Sequence, residues 1–388
     1  MILGQDIAVL GGGVAGLSVA RALAMRGARV TVYERADEIS EVGAGLQITP
    51  NGAAVLARLG LDVAQVSLRS QGVYLMDGFS GQSVLHLDFA RYKPDLDFFL
   101  VHRADLIHLL EQGARAAGVR IKLSHRVTGV DLFGEAAPEV SFDTGLRKTH
   151  DLVIGADGLQ SKLRGLMNGI EVPFYTGQTA WRAIVPARHP RDCVAQIHTG
   201  RGQHVVTYPL RDGAFVNIVA VEEQGSWGEE GWHHTGDPNE LRRRFSSFNP
   251  ALRDLLKDVN DVSCWGLFRH NVAARWHSSG SAALIGDAAH PTLPFLAQGA
   301  NLALEDAWVL AECLANLPVE QALPVYQVKR KARVARVIAA ANANARNYHL
   351  SGVKRKIAHG ILRGVNRFAP AQAVTKFSWL YEHDVTQD

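Results

Sequence analysis

The 388-residue sequence predicts an α/β fold with a Rossmann-like body and a second body built on a mixed or antiparallel sheet. Three observations carry that expectation. A glycine-rich turn near residue 11 lies between an apolar strand and an amphipathic helix. Two acidic turns, near residues 157 and 286, repeat the strand-and-turn theme. The middle third of the chain is rich in β-branched and aromatic runs. The length itself exceeds what one hydrophobic core normally holds, which points to two domains or one large interleaved body.

Taken in order, Ile7 to Leu10 form a short apolar run, followed by GGGVAG and LSVARALAMRG. Leu17, Ala20, Leu23 and Ala24 recur at helical spacing, Gly27 closes the helix, and RVTVYER reads as a second strand. Gly11, Gly13 and Gly16 therefore form G-x-G-x-x-G in a strand–turn–helix setting. The first glycine permits the turn, the second lets a pyrophosphate approach, and the third lets helix and strand pack closely. Amides at the helix start, at Val14 and Ala15, face phosphate. Glu34, ending the second strand, is placed to accept hydrogen bonds from a ribose. Arg35 suits a surface charge, a phosphate contact or a neighbouring loop.

GAGLQITPNG, from Gly43 to Gly52, is another glycine-bounded turn, and Asn51 is expected to cap the helix that follows. FFLVHRADLIHLLEQGARAAG puts Arg103 where a strand gives way to a helix, suited either to a phosphate or to a surface ion pair. DLVIGADGLQSKLR repeats the first motif: Asp157 suits a ribose or a nearby arginine, Gly158 permits backbone approach, and Ser161 and Arg164 share a helical side. In GDAAHPTLPFLAQGANLALEDA, Asp287 follows an apolar strand and Pro291 and Pro294 stiffen the chain. Gly299, Ala300 and Asn301 then open a helix whose amides favour negative charge. Three such turns are hard to assign to separate ligands. One extended dinucleotide touching all three accounts for them.

Composition narrows the function classes. Apolar residues make up 47% and charged residues 20%, and Lys+Arg minus Asp+Glu is 41 − 38 = +3. That balance gives no reason to expect nucleic acid but suits an anionic small substrate. Cys193, Cys264 and Cys313 are scattered, with no metal-ligand spacing, so no metal is expected and a reducing compartment fits. No apolar run reaches the ~20 residues that span a bilayer. The default location is cytoplasmic.

GGGVAG with Glu34, GADG with Ser161 and Arg164, the helix-entry Arg103, and GDAAHPTLPFLAQGANLALEDA together closely resemble the class A flavoprotein aromatic hydroxylases, the salicylate- and 3-hydroxybenzoate-hydroxylase-like group. The resemblance spans nearly the whole chain. It implies FAD as cofactor, NADH or NADPH as a transient electron donor, O2, and a p-hydroxybenzoate hydroxylase-like fold without a second nicotinamide-binding domain. The expected division is 1–70, 101–165 and 276–388 for the FAD-binding domain with its C-terminal helices, and 71–100 and 166–275 for the substrate domain.

WRAIVP (181–186), HVVTYPL (204–210) and AFVNIVAV (214–221) read as strands of that second domain. His204 and Tyr208 share a strand face. A neutral histidine near its reference pKa of ~6.5 suits removal of a phenolic proton, and tyrosine suits a hydrogen bond to a phenol or carboxylate. The H-x-x-x-Y-P-L pattern resembles the family's phenol-contacting strand, and Gln298 matches its residue beside flavin and substrate. Trp227 and Trp232 suit either lid anchors or packing at the core edge.

The C-terminal stretch ALPVYQVKRKARVARVIAAANANARNYHL is expected to be helical, with its bases as a solvated face and without stable membrane association. The implied activity is hydroxylation of a small aromatic acid, such as salicylate or 3-hydroxybenzoate. Hydroxylation of a hydroxynicotinate- or urate-like heterocycle, alkene epoxidation and a non-catalytic flavin-binding module are the alternatives. A homodimer is compatible with the resemblance.

Overall fold

The structure is a computed structural model that describes residues 2–39, 44–132, 137–227, 234–278 and 280–387. Its first body is a five-stranded parallel sheet in the order Ala282–Leu284, Leu152–Gly155, Asp6–Leu10, Arg29–Tyr33, Arg120–Lys122. The inner strands are apolar along most of their length because helices cover both faces, so inward and outward positions both reject water, while the edge strand Arg120–Lys122 turns its two basic residues to solvent. Leu10 lies beside Gly155, and Gly155 beside Leu284. The three turns that follow these strands therefore leave the same carboxyl edge side by side. That edge is where parallel α/β sheets bind ligands.

The second body is a seven-stranded mixed sheet in the order Ser263–Arg269, Phe174–Pro186, Phe215–Glu223, Gln203–Leu210, Val194–Thr199, Gly72–Asp77, Ser83–Asp88. All its pairings are antiparallel except that between Val194–Thr199 and Gly72–Asp77. Alternation divides its two faces. Trp181, Ala183, Val205, Val216 and Ile218 pack away from the first body, under the helices Pro238–Arg244 and Pro250–Leu256. Ala180, Val221, Trp265 and Leu267 face the other way, toward Phe295, Ala341 and Ala345. The chain is thus a Rossmann-like domain interleaved with a mixed-sheet domain. Trp227 packs at the core edge, close against Gly266, while Trp232 and Gly43 lie outside the described residues.

Behind the parallel sheet run the helices Gly299–Asn316 and Val319–Tyr348. Here one expectation is corrected: the bases of the long helix are not all solvated. Arg330 is 1% exposed and forms ion pairs with Glu305 at 2.6 Å and Asp306 at 2.7 Å. Arg333 forks onto Glu305 at 2.7 and 2.8 Å. A 30-residue helix with its apolar positions spaced along one side offers room for such an inward arginine, and the sequence pattern alone does not distinguish it from a solvated one. Among the described residues, no helix is long and apolar enough to cross a membrane.

Removing one partner of a buried, hydrogen-bonded ion pair strands the other charge, which costs about 3–5 kcal/mol. Arg330→Met should therefore lower the urea unfolding midpoint by an amount equivalent to that range. A midpoint equal to the parent's would show that Glu305 and Asp306 are satisfied without Arg330.

Candidate active site

The first turn is built for close approach. Gly11 adopts φ +106°, and a Cβ there would lie 2.5 Å from the Ala156 carbonyl oxygen. A Cβ at Gly16 would lie 1.9 Å from the Gly11 carbonyl oxygen, so no side chain fits between strand and helix. Gly13 instead faces open space, with no described atom within 4 Å of its Cβ position. Val14 opens the helix, and the Val14 and Ala15 amides belong to its unsatisfied first turn. Glu34 accepts from the Gly12 N–H at 2.7 Å and the Ala36 N–H at 2.9 Å. Its carboxylate retains acceptor capacity for a ribose hydroxyl. Arg35 is exposed, and its charge acts on Asp157 across the gap between the two turns.

Asp157 accepts from the Lys162 N–H through one oxygen, at 3.1 Å, while its other oxygen is buried without a hydrogen-bond partner among the described residues. Burial raises its pKa. Gly158 follows at φ +72°. Ser161 caps the helix Lys162–Asn168 by accepting from the Arg164 N–H, and Arg164 reaches across to the carbonyls of Ala288 and Ala289 at 3.1 and 3.3 Å. Those two residues therefore tie the second turn to the third. An open step at Gly13, an orphaned carboxylate oxygen at Asp157 and adjacent strand ends fit an extended dinucleotide.

Asp287 has an open side chain but sits deep in the cleft, where desolvation pushes its carboxyl pKa up and His290 and Arg103 pull it down. Arg103 is held down at about 10, by burial first and then by repulsion from Arg182, with Asp287 opposing. These three charged groups share one space. Arg103 starts the helix Arg103–Ala116, and its own N–H is fixed by the Ala44 carbonyl at 2.8 Å. A cleft beside Asp287 is lined by Leu267, His270, Pro291, Leu293 and Pro294.

Asn51 does not cap its helix, which corrects the sequence expectation. Thr49 occupies the cap position, and Asn51 is fully buried within the first turn. Its side-chain N–H groups reach Glu305 at 2.6 Å and Gln298 at 3.1 Å, while Gln298 donates to the Thr49 hydroxyl at 2.9 Å. Gln298 occupies the cap position of the helix Gly299–Asn316 without a side-chain bond to the helix amides, and both ends of its own amide are engaged by Asn51 and Thr49. Asn301 clamps the same loop by accepting from the Thr49 N–H and donating to the Gln47 and Ala297 carbonyls. Gly299 and Ala300 begin the helix, and their amides belong to its unsatisfied first turn.

Above the edge lies the inner face of the mixed sheet. His204 and Tyr208 do share it, on the strand Gln203–Leu210. Tyr208 is opposite Asn217, which accepts from the Gly45 N–H at 2.7 Å, and Val206, between His204 and Tyr208, lies opposite Val219. Val219 in turn pairs with Arg182, so Arg182 joins the same face two strands away. Arg182 lies over the Trp265 ring at 5.3 Å, and its Nε is buried with no hydrogen-bond partner among the described residues. The sequence reading missed it. Its one signal was a charged residue in the otherwise apolar strand WRAIVP.

The electrostatics revise the histidine. His204 is 2% exposed, with its ring among Phe295, Tyr348 and His349, and burial together with His349 lowers its pKa well below the ordinary 6.5. The expectation of a near-reference value is therefore corrected: among the described residues no acid offsets the desolvation of the ring. Burial pushes the Tyr208 hydroxyl pKa far up, and Arg182 opposes only part of that shift. Tyr208 is a neutral hydrogen-bonding group at physiological pH.

A family profile described as FAD binding domain matches residues 5–341. A 3-amino-4-hydroxybenzoate 2-monooxygenase of Streptomyces platensis is 32% identical, over 97% of this chain and 95% of its own. A 3-hydroxybenzoate 6-hydroxylase of Klebsiella oxytoca is 30% identical, over 96% and 95%. Among solved structures, Klebsiella pneumoniae HpxO complexed with FAD and uric acid superposes with a TM-score of 0.84 at 25% identity, covering 96% of both chains. A salicylate hydroxylase substrate complex gives 0.81 at 24% identity, over 99% and 97%, a likeness of fold alone.

Denatured protein should release one FAD per chain, identified by its chromatographic mobility. Asp287→Ala should release less or reduce it more slowly, since a hydrogen-bonding carboxylate leaves the cleft. Equal FAD content and equal reduction rate would mean that Asp287 does not touch the cofactor.

Proposed function

The chain belongs to the class A FAD-dependent aromatic hydroxylase family, and from that premise we propose that it hydroxylates a small phenolic carboxylic acid with NADH or NADPH as electron donor. It is an FAD-dependent monooxygenase acting on a small aromatic substrate. The bound FAD supplies electron transfer and oxygen activation. The chain would hold it through the Gly11–Gly16 turn, Glu34, Asp157 and Asp287, with Arg103 beside them. The first amides of the helix beginning at Gly299 favour negative charge on the cofactor.

One observation supports the substrate reading above others: His204, Tyr208 and Arg182 occupy a single face of the mixed sheet, turned toward the other domain. His204 would accept the phenolic proton, which raises electron density on the ring to be attacked. Neutral Tyr208 would donate to a phenol or carboxylate oxygen. Arg182 and Arg103 give the cleft positive character and so favour an anionic aromatic acid. Gln298 would act by holding the turn at the helix start, because its amide is already bonded at both ends.

The test is a panel of salicylate, 3-hydroxybenzoate, 3-amino-4-hydroxybenzoate, 6-hydroxynicotinate and urate, scored for stimulated NADH and NADPH oxidation and for product mass. Stimulation by a phenolic acid, with product gaining one oxygen, is expected; stimulation by urate alone would move the reading to a nitrogen heterocycle. His204→Gln should retain FAD yet slow oxygenation by ~10²–10⁴-fold, with more hydrogen peroxide per NAD(P)H. Tyr208→Phe should mainly raise the KM for the acid. A His204→Gln enzyme with the parent's turnover, coupling and pH profile would remove the base assignment.

A further inference from the structure

His204 is not alone in its pocket. Its Nδ1 lies 2.8 Å from His349 Nε2, and His349 Nδ1 lies 3.1 Å from Glu223 Oε1. The His349 side chain is 2% exposed and that of Glu223 is 59% exposed, so three side chains connect the inner face of the sheet to solvent. We propose that Glu223 and His349 form a proton exit, through which the phenolic proton taken up by His204 leaves the pocket. The proposal rests on the reading of His204 as the group that meets the phenol.

The local fold brings these residues together. Gln203 pairs with Glu222 in a hairpin, which sets Glu223 at the end of the strand beside His204. His349 follows the last turn of the helix Val319–Tyr348. Its carbonyl accepts from the Gly202 N–H at 3.4 Å, while Gly202 accepts from the Glu223 N–H at 2.8 Å. Tyr348 and Phe295 wall the His204 ring, with centroids at 5.2 and 5.7 Å, and Gln178 Nε2 lies 3.4 Å from His349 Nδ1. Among the groups facing the two imidazoles, Tyr348 is kept protonated by burial, with its pKa at about 12, and Glu223 carries the charge.

Because the Glu223 carboxylate can only accept, His349 carries its proton on Nδ1, and the Gln178 amide nitrogen 3.4 Å from that atom is then a neighbour and not a donor to it. His204 donates from Nδ1 to His349 Nε2, and His349 donates from Nδ1 to the Glu223 carboxylate. That leaves His204 Nε2 with a lone pair for the phenol. When the phenol O–H bond breaks, its proton joins His204 Nε2. The Nδ1 proton of His204 passes to His349 Nε2, and the Nδ1 proton of His349 passes to Glu223. The phenol becomes a phenolate, both imidazoles end neutral, and Glu223 ends protonated and releases its proton to water. A buried imidazole is a poor final resting place for a proton. Passing the proton on avoids a trapped imidazolium, which is why the histidine needs its partner.

His349 and Glu223 are positioning residues in this scheme, acting through His204. FAD-loaded protein is mixed with 3-hydroxybenzoate, salicylate or 3-amino-4-hydroxybenzoate in weak buffer with a pH-indicator dye, and proton release is followed by stopped flow. His349→Gln should slow release at least about tenfold, with kcat reduced and KM little changed. His349→Ala should recover part of the rate on addition of imidazole. Glu223 favours the charged form of His349, so Glu223→Gln should lower the His349 pKa and carry the acid limb of the release profile to lower pH. Unchanged release in His349→Gln, alongside normal product formation, would overturn the exit while leaving the oxygenation reading intact. If none of the acids stimulates NAD(P)H oxidation, that reading fails instead, and histidine NMR of substrate-free protein decides the relay. There, Glu223→Gln should lower the His349 pKa and His349→Ala should abolish the hydrogen-bonded Nδ1 proton of His204; absence of both changes would overturn the relay.

Discussion

Two adjacent carboxylates, Glu305 and Asp306, are fully buried on one helix, and the placement of the cofactor side depends on how they are neutralised. Asp306 accepts from the Gly286 N–H at 3.0 Å, from His290 at 2.5 Å and from Arg330 at 2.7 Å. Glu305 takes Arg330, Arg333 and Asn51. Arginine charge and hydrogen bonds hold both acids below their ordinary pKa despite the burial that opposes ionisation. Because an unpaired buried charge is so unfavourable, each contact fixes distance as well as energy. The third turn, the helix starting at Gly299 and the helix starting at Pro50 are thereby tied to one point.

The cleft follows the opposite rule. Burial lowers the pKa of both Arg103 and Arg182, and the Arg182 charge lowers that of Arg103 further. Asp287 is the carboxylate that opposes this at Arg103, and Tyr208 is neutral. Where the ion network behind the sheet is closed by four charges, no carboxylate among the described residues faces Arg182. An anionic ligand beside it would supply a counter-charge in a region of low dielectric, where such a contact is stronger than in water.

Much of this was legible in the residues. The glycine spacing, the apolar strands and the helical periodicity that follows Gly16 arise from local sterics, so the parallel sheet and its three turns could be read directly. The strand face shared by His204 and Tyr208 follows from period two. What could not be read was pairing across the chain. Arg330 and Glu305 are on different helices, and only their packing decides that the arginine turns inward. Asn51 has the chemistry of a helix cap, but the buried acid at Glu305 draws its amide elsewhere. Arg182 looked like one polar position in a strand, and His349 like the end of a basic helix. Each acquires its meaning from a partner on another helix, in a distant part of the chain or on a neighbouring strand.

Interleaving explains how such distant partners are kept in register. The segment Gly72–Asp88 leaves the cofactor body to complete the mixed sheet, and its first strand makes the one parallel pairing there, with Val194–Thr199. The chain then returns through Phe99–His102, which pairs with Gly45–Ile48, before crossing again after Asn168 and back after Arg269. Relative movement of the two bodies must therefore bend several connections at once. The contact of Gly45 with Asn217 and the three-residue link from His204 to Glu223 both lie across or beside that seam. A pocket formed between bodies so joined keeps its polar groups aimed with little reorganisation, which is what gives fixed dipoles their advantage over water in stabilising charge as it develops.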